Sequence, residues 1–378
     1  MIRLSSKQLR DGMVTAQSVF NQKGASFITS GTPLTERYIH RLQKMGISHL
    51  AVTSLSPDAA LPPPPGIVDE RVREQSIRTI ATAFTQLESQ SSFDLGALQN
   101  SANDLLDSVL HMQSNLVQLS DIRMHDSYTF AHSVNVAILS TMLGSLCHLH
   151  RDELKLLTLG GLLHDIGKVD IPYKLLNKPG ALTDEEFALM RSHAEIGRKR
   201  LLQLPGPNTA ILANIAGQHH EFLDGRGYPR RLKGDAIHPY ARIVAIADVY
   251  DALSSKRSYK KSYKPSVVHQ IMTKNSVGHF SPELLELFFD NVAIYPVGTV
   301  MLTSLGYGIV KKVSFGKTLT PVITIFATKD AKLVPKPFNV DLSQCPADNT
   351  IHHAIDDTEL INFVRVIGVD PAIFLREE

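Results

Sequence analysis

The sequence predicts a mainly α protein, a helical central domain flanked by a small N-terminal α+β domain and a small C-terminal β extension. Three observations predict it. From 67 to about 291 apolar residues recur at helical spacing, beginning with Val68, Val72, Ile77, Ile80 and Phe84. A stretch without periodicity, SLSPDAALPPPPG at 54–66, separates that region from the first 53 residues. Consecutive prolines favour an extended, semi-rigid spacer. From 297 to 325 glycines alternate with β-branched residues, among them Val300, Val310, Val313, Val322, Ile323 and Ile325, which is the texture of a small sheet.

The elements follow in chain order. Residues 13–20 read as a strand, 21–24 (NQKG) as a turn and 25–30 as a second strand leading to Gly31. Thr35 precedes a helix at 36–45 that Gly46 stops, and 47–52 give a further strand. Beyond the spacer a helix carries the stripe that starts at Val68, and another covers 95–119. Thr183-Asp-Glu-Glu186 is a capping box, the threonine as N-cap and the glutamate three residues on. The expected division is therefore 1–53 accessory domain, 54–66 linker, 67–292 helical domain and 293–378 β-rich extension.

Composition narrows the function. The 378 residues hold 39 Lys+Arg against 37 Asp+Glu, with 43% hydrophobic residues. That supports a packed core and excludes a wholly disordered chain or an electrostatic binder of nucleic acid polymers. Cys147 and Cys345 can build neither a disulfide framework nor a zinc ribbon. The first residues lack the apolar core of a signal peptide. No apolar run approaches the roughly 18–20 residues that span a bilayer. The expectation is a cytoplasmic protein without a membrane partner.

Histidine is the unusual residue, with 16 in the chain. His132 sits among Phe130, Val134, Val136 and Ile138. His164-Asp165 ends the apolar run 154–163, just before Gly167. His193 lies three residues from both Met190 and Ile196. His219, paired with His220, is four after Ile215, and Asp248 is four after Val244. Taken singly, each reads as a satisfied core or surface residue. Taken together they are polar groups on apolar helix faces, and burying such groups unpaired is expensive. They satisfy one another if they share metal ions. Histidine and carboxylate without cysteine suit Fe, Mn or Zn. More than four candidates on several helices points to two metals with one carboxylate bridging.

Two cations about 3.5–4 Å apart lower the pKa of a bridging water and stabilise attacking and leaving oxygens, which suits phosphate-ester hydrolysis. Lys168, one turn after His164, then reads as a cation near the phosphate, or else as a solvated lysine closing a helix. The stretch 221–229 (EFLDGRGYP) reads as a surface turn, or as a rim over an anionic substrate. Gly225 and Gly227 permit positive φ, Pro229 stiffens the exit, and Arg226, Arg230, Arg231 and Lys233 add positive charge.

His164-Asp-Ile-Gly-Lys168, His219-His-Glu221 and Asp224-Gly-Arg-Gly-Tyr-Pro229, in that order, resemble the HD-GYP domain. This is a branch of the HD metal-dependent phosphohydrolases whose members hydrolyse the bacterial second messenger cyclic di-GMP. The similarity runs over about 126–290, through YTFAHSVNVA (128–137), KPGALTDEE (178–186) and ARIVAIADVYDALSSKRSYKK (241–261). It implies an all-helical HD-type catalytic domain with His132, His164, Asp165, His193, His219, His220 and Asp248 as metal ligands. Asp165 would be the bridge, and two divalent ions per chain, Fe or Mn, the cofactor. By the same resemblance Lys168 contacts the scissile phosphate or assists the leaving group. Arg257 and Lys260 hold substrate phosphate and base, joined by Tyr228 and Arg226 of the loop. Asp251, about one turn after Asp248, orients a ligand or water, or else is a surface acid that stabilises its helix.

Some members bind a third metal through a glutamate four residues before the first histidine. Here that position is Tyr128, which implies a binuclear centre. A metal-activated hydroxide would yield mainly pGpG, with GMP as a further product. The resemblance also implies contacts with GGDEF-type diguanylate cyclases through the Gly-Tyr-Pro loop, and the helices of 67–120 could support a homodimer. Residues 3–53 and 291–312 are similar to a small domain and a β extension often attached to such proteins. His352-His353 reads as a solvated loop. Two other functions compete: a cyclic di-GMP-responsive adaptor, and an HD hydrolase of another nucleotide such as a related cyclic dinucleotide.

Overall fold

The computed structural model describes residues 2–16, 18–20, 26–45, 47, 49–55, 68–89, 94–111, 129–178, 180–254, 263–274, 277–346 and 351–375. In the N-terminal part β1 (Ile2–Ser5) pairs antiparallel with β4 (His49–Val52), Leu4 opposite Leu50, and β2 (Val19–Phe20) pairs with β3 (Ser26–Ile28). Between them α1 (Glu36–Lys44) starts at Thr35, whose side chain accepts from the Tyr38 amide. Of the strand expected at 13–20 only the last two residues join a ladder; Val14 and Thr15 make single bridges to Pro33 and Val52. β1 escapes a periodicity reading because four residues offer only two apolar positions, and its partner lies at the far end of the unit.

Ten helices described by the structure make the central domain. They are α2 (Glu70–Glu88), α3 (Leu95–His111), α4 (Thr129–Leu146), α5 (Arg151–Leu163), α6 (Tyr173–Leu176), α7 (Asp184–Leu202), α8 (Thr209–Gln218), α9 (Pro239–Ser254), α10 (Pro265–Lys274) and α11 (Pro282–Asn291). α4 and α9 are apolar nearly all round, and that composition sends a helix to the centre of a domain. Val134, Val136, Ile138, Leu139, Met142 and Leu143 of α4 are fully buried, as are Val244 and Ile246 of α9. Truncating one such leucine costs about 2–5 kcal/mol. The stripe read from 68 onward is inside: Ile77, Ile80 and Phe84 are buried. α3 covers 95–111 of the helix expected to 119; 112–119 lie outside the described residues, as do 56–66 of the linker. Thr183 caps α7 through the reciprocal bonds of a capping box with Glu186.

The C-terminal part is a five-stranded antiparallel sheet in the order β8-β7-β6-β5-β9. Its strands are β5 (Val300–Thr303), β6 (Gly306–Lys312), β7 (Val322–Ala327), β8 (Leu333–Asp341) and β9 (Ile351–Ala354), followed by α12 (Asp357–Ile367). β8 contains Pro335 and Pro337 and stands at the sheet edge, where a missing N–H donor is tolerated. His352 and His353 belong to β9 rather than to a loop; both are solvent-exposed, and His353 Nε2 lies 3.9 Å from Glu359. Leu4, Leu42 and Leu50 pack in one core with Val300, Ile309, Phe326, Leu360 and Phe363. The Leu55 amide also donates to Asp370 at 2.8 Å. The two ends of the chain thus share a core. Cys147 and Cys345 are free thiols. Among the described residues, no helix is long and apolar enough to cross a membrane.

Candidate metal centre

Five helices and one 3-10 turn converge on one buried point. α4 carries His132, and α5 ends with His164 as its C-cap. Asp165 opens the 3-10 turn Ile166–Asp170. α7 carries His193, α8 ends at His219 with His220 next, and α9 carries Asp248 and Asp251. His164, Asp165, His193, His219, Asp248 and Asp251 are buried. The 3-10 turn lies hard against α7: a Cβ on Gly167 would come within 2.0 Å of the His193 carbonyl oxygen and 2.5 Å of the Gly197 nitrogen. Only glycine lets Asp165 sit that close to His193.

Hydrogen bonds on the far side of four of the five rings fix which nitrogen faces inward. His164 Nδ1 donates to Gly161 O at 2.7 Å, His193 Nδ1 to Met190 O at 2.6 Å and His219 Nδ1 to Ala216 O at 2.8 Å, each three residues back on its own helix. His132 Nδ1 donates to Asp251 Oδ2 at 2.7 Å. Whenever these rings are neutral the proton therefore sits on Nδ1, and Nε2 is the nitrogen that faces the centre. Nε2 of His132, Nε2 of His164 and Oδ1 of Asp165 are buried without a hydrogen-bond partner. Buried polar atoms normally have one, so three orphans around one point mark where a cation would complete the structure.

The candidates form two clusters, His132–His164–Asp165 and His193–His219–His220, with the donor atoms of each within 4.8 Å of one another. Asp165 faces both. Its Oδ2 lies 3.3 Å from His164 Nε2 and 3.8 Å from His132 Nε2. Its Oδ1 lies 3.4 Å from His193 Nε2 and 3.9 Å from His219 Nε2. Asp248 repeats the pattern, with Oδ1 3.1 Å from His132 Nε2 and Oδ2 3.7 Å from His220 Nδ1. The donor set, imidazole and carboxylate, fits Fe, Mn or Zn.

The electrostatics suit a cation. Burial alone would raise Asp165, but Lys168, His164 and His193 hold it well below the usual carboxylate range. Asp248 is likewise held low, against its burial, by His132 and His220. Burial, reinforced by neighbouring imidazoles, pushes His219 down to about 3 and His220 well down; burial also lowers His193. These three rings are neutral at pH 7. His132 is the exception: burial opposes its charge, yet Asp248 and Asp251 raise it to about 9. Lys168 Nζ is ion-paired with Asp165 Oδ2.

The loop after His220 is folded over a buried carboxylate. Glu221 accepts from the Arg230 amide at 2.7 Å and the Leu232 amide at 3.0 Å. Gly225 has φ +84°, as expected. Gly227 is needed for another reason than positive φ: a Cβ there would meet Phe222 N at 2.3 Å and His220 O at 2.5 Å. The Tyr228 ring lies on His220, centroids 4.7 Å apart, and the Arg191 guanidinium sits 4.7 Å from the Phe187 ring and 5.7 Å from the Tyr228 ring. The Tyr228–Pro229 peptide is cis.

The structure limits some of the sequence expectations and leaves others outside the described residues. Arg226, expected to hold substrate, has its fork on Asp224 (Nε to Oδ2 2.7 Å) and on Val277 O (3.3 Å), and makes no contact with the clusters among the described residues. A neighbouring carboxylate two residues away captures it. Arg257 and Lys260 lie outside the described residues, as does Tyr128. Asp251 is no surface acid, since it is buried against His132. The sequence reading missed Asn135, whose Nδ2 donates to Asp251 Oδ1 at 2.7 Å. The signal was available: Asn135 is polar on the same apolar helix that singles out His132. It also passed over Arg191, which nothing in the local pattern marks.

Comparison with known proteins agrees. Residues 105–284 match the family model described as HD domain. Over 305 residues the chain is 33% identical to a cyclic di-GMP phosphodiesterase of Pseudomonas aeruginosa, covering 79% of this chain and 73% of that protein. Over 188 residues it is 37% identical to 3'3'-cGAMP-specific phosphodiesterase 2 of Vibrio cholerae, covering 50% of this chain and 36% of that one. Among solved structures, an HDG"Y"P protein from Bdellovibrio bacteriovorus aligns with a TM-score of 0.47 at 18% identity, over 76% of this chain and 97% of that one. The matched domain and the His/Asp centre define an HD-domain enzyme, a metal-dependent phosphohydrolase. Within that class, the chain belongs to the HD-GYP family.

Proposed function

We propose that the protein hydrolyses cyclic di-GMP to pGpG at a binuclear centre held by His132, His164, Asp165, His193, His219, His220 and Asp248. The observation that carries the reading is the pair of carboxylates, Asp165 and Asp248, each with one oxygen toward each histidine cluster. Bound there, two Fe or Mn ions would lower the pKa of a water and carry charge on the phosphate oxygens. The chain's own groups do the rest. Lys168, beside Asp165, offers its ammonium to the scissile phosphate. Tyr228 and Arg191 at the lip offer an aromatic face and a guanidinium to base and phosphate. In-line attack by water on one phosphorus breaks its P–O3′ bond; the proton lost by water goes to O3′, and the ring opens to pGpG. Tyr128 in place of a third-metal glutamate supports two ions and pGpG as the main product.

A cytoplasmic location, contacts of loop 224–229 with GGDEF-type cyclases and a homodimer through 67–120 belong to the same reading. A second substrate is favoured by the likeness to the 3'3'-cGAMP-specific enzyme. The test is an anaerobic assay with Fe(II) and Mn(II) in parallel, cyclic di-GMP and 3'3'-cGAMP as substrates, and products separated by chromatography. pGpG formation that Asp165→Asn abolishes supports the reading. Two bound metals without turnover of cyclic di-GMP overturn it, and turnover of 3'3'-cGAMP alone would move the assignment to that nucleotide.

A further inference from the structure

α2 contributes none of the candidate metal-binding residues, yet a buried charge on it is wired to one. Arg73 lies on the inward stripe of α2, four residues before Ile77, and is 6% exposed. Its Nη2 donates to Asn135 Oδ1 on α4. Asn135 Nδ2 donates to Asp251 Oδ1 at 2.7 Å, and Asp251 Oδ2 accepts from His132 Nδ1 at 2.7 Å. His132 Nε2 then faces Asp248 and Asp165. Asn135 and Asp251 are each 1% exposed.

The direction of every bond in this chain is fixed. A carboxylate only accepts, so Asn135 must turn its NH2 toward Asp251 and its carbonyl toward α2. A buried carbonyl there requires a donor, and Arg73 supplies one. With the amide locked, one Asp251 oxygen is occupied and the other is aimed at His132 Nδ1, which leaves Nε2 as the nitrogen that faces the centre. A guanidinium also needs negative charge to be tolerated in a core, and Asp251, Asp248 and Asp165 lie in line behind Asn135.

We propose that Arg73 is a positioning residue for the metal centre: through Asn135 and Asp251 it holds the orientation and tautomer of His132, and so sets the affinity of the His132–His164–Asp165 cluster. The proposal rests on the reading of these clusters as a metal centre, but not on the identity of the substrate. Groups that orient a metal-binding histidine from behind are typically worth about 10–100-fold in metal affinity.

The test titrates metal-free full-length protein with Mn(II) against a competing chromophoric chelator and records thermal unfolding alongside. Arg73→Met should weaken one of the two Mn(II) sites about 10–100-fold and leave the other unchanged. Arg73→Lys, which keeps a cation and a donor, should recover most of the loss. Ser101→Ala is the control for damage to the α2 seat: Ser101 Oγ donates to Ser76 Oγ of α2 at 2.8 Å, away from the chain. It should lower the unfolding midpoint and leave both affinities alone. Should Arg73→Met fail to fold, Asn135→Ala cuts the same chain one link on and carries the same expectation. Unchanged affinities in the folded variant overturn the proposal, as does equal weakening by Arg73→Met and Ser101→Ala. A wild-type protein that binds no Mn(II) overturns the metal reading itself, whereas one that binds two but leaves cyclic di-GMP intact overturns only the substrate.

Discussion

The Nε2 atoms of His193 and His219 lie 3.4 Å apart, while both Nδ1 atoms donate to carbonyls of their own helices. With both rings neutral, two lone pairs face each other, and neither ring can relieve the other. A cation between them turns that repulsion into coordination. Metal should therefore stabilise the fold, by about 2.7 kcal/mol at a free concentration of 100 times Kd. Chelation should lower the unfolding midpoint, and Mn(II) should restore it. In the chelated protein His219→Leu should cost little or even stabilise; in the loaded protein it should cost most of the metal increment. Equal effects in both states would mean that the pair is an ordinary core contact.

Asp165→Asn tests the bridging role. The amide keeps the shape of the carboxylate but loses its charge, and it turns one lone-pair face into an N–H2 donor. That donor would point at either the His132–His164 side or the His193–His219 side, so one cluster is always opposed. Metal content by mass spectrometry should fall to a small fraction of wild type, with turnover lost in parallel. A full metal complement in Asp165→Asn would remove Asp165 from the bridge.

Lys168 separates electrostatic structure from chemistry. Its ammonium is ion-paired with Asp165, so removing it leaves the centre more negative, and metal should be held as well as before or better. If the same ammonium stabilises charge on the reacting phosphate, Lys168→Ala should lower kcat about 10²–10³-fold, the usual cost of one such donor. KM should change less than kcat. An unchanged kcat with full metal would confine Lys168 to neutralising Asp165.

Much of this centre was legible because burial and polarity conflict in the sequence itself. His132, His193 and Asp248 stand out as polar residues on apolar helix faces, and the same conflict would have marked Asn135. Arg73 was harder, since a lone arginine on an amphipathic helix usually reaches water. What spacing could not give was approach: Gly167 and Gly227 are required by backbone atoms from other segments, and no local pattern reports those. Arg226 shows a related limit, because its pairing with Asp224 two residues away is a matter of side-chain geometry that charge pattern alone does not report. The shared core of the chain's two ends was equally hidden, since Leu4 and Phe363 are related by tertiary packing alone.

His279 gives the loop a pH limit. Its ring lies between Phe222 and Phe280, with centroids at 3.7 and 3.8 Å, and its carbonyl accepts from the Leu223 amide. Burial pushes its pKa down to about 4, against the pull of Asp248 and Asp224. Unfolded, the imidazole would titrate near about 6.5. The unfolded chain therefore takes up this proton first as the solution is acidified. The contribution to stability is complete above about pH 6.5 and is lost as pH falls toward about 4, with a slope of about one proton. His193, His219 and His220 are also lowered, so the informative quantity is a difference. His279→Phe keeps an aromatic ring in the stack and removes the proton. In metal-free protein, urea unfolding at pH 7, 5.5 and 4.5 should show the variant losing less stability on acidification than wild type, by about one proton's slope. Parallel pH curves for the two proteins would show that His279 is free to protonate in the folded state.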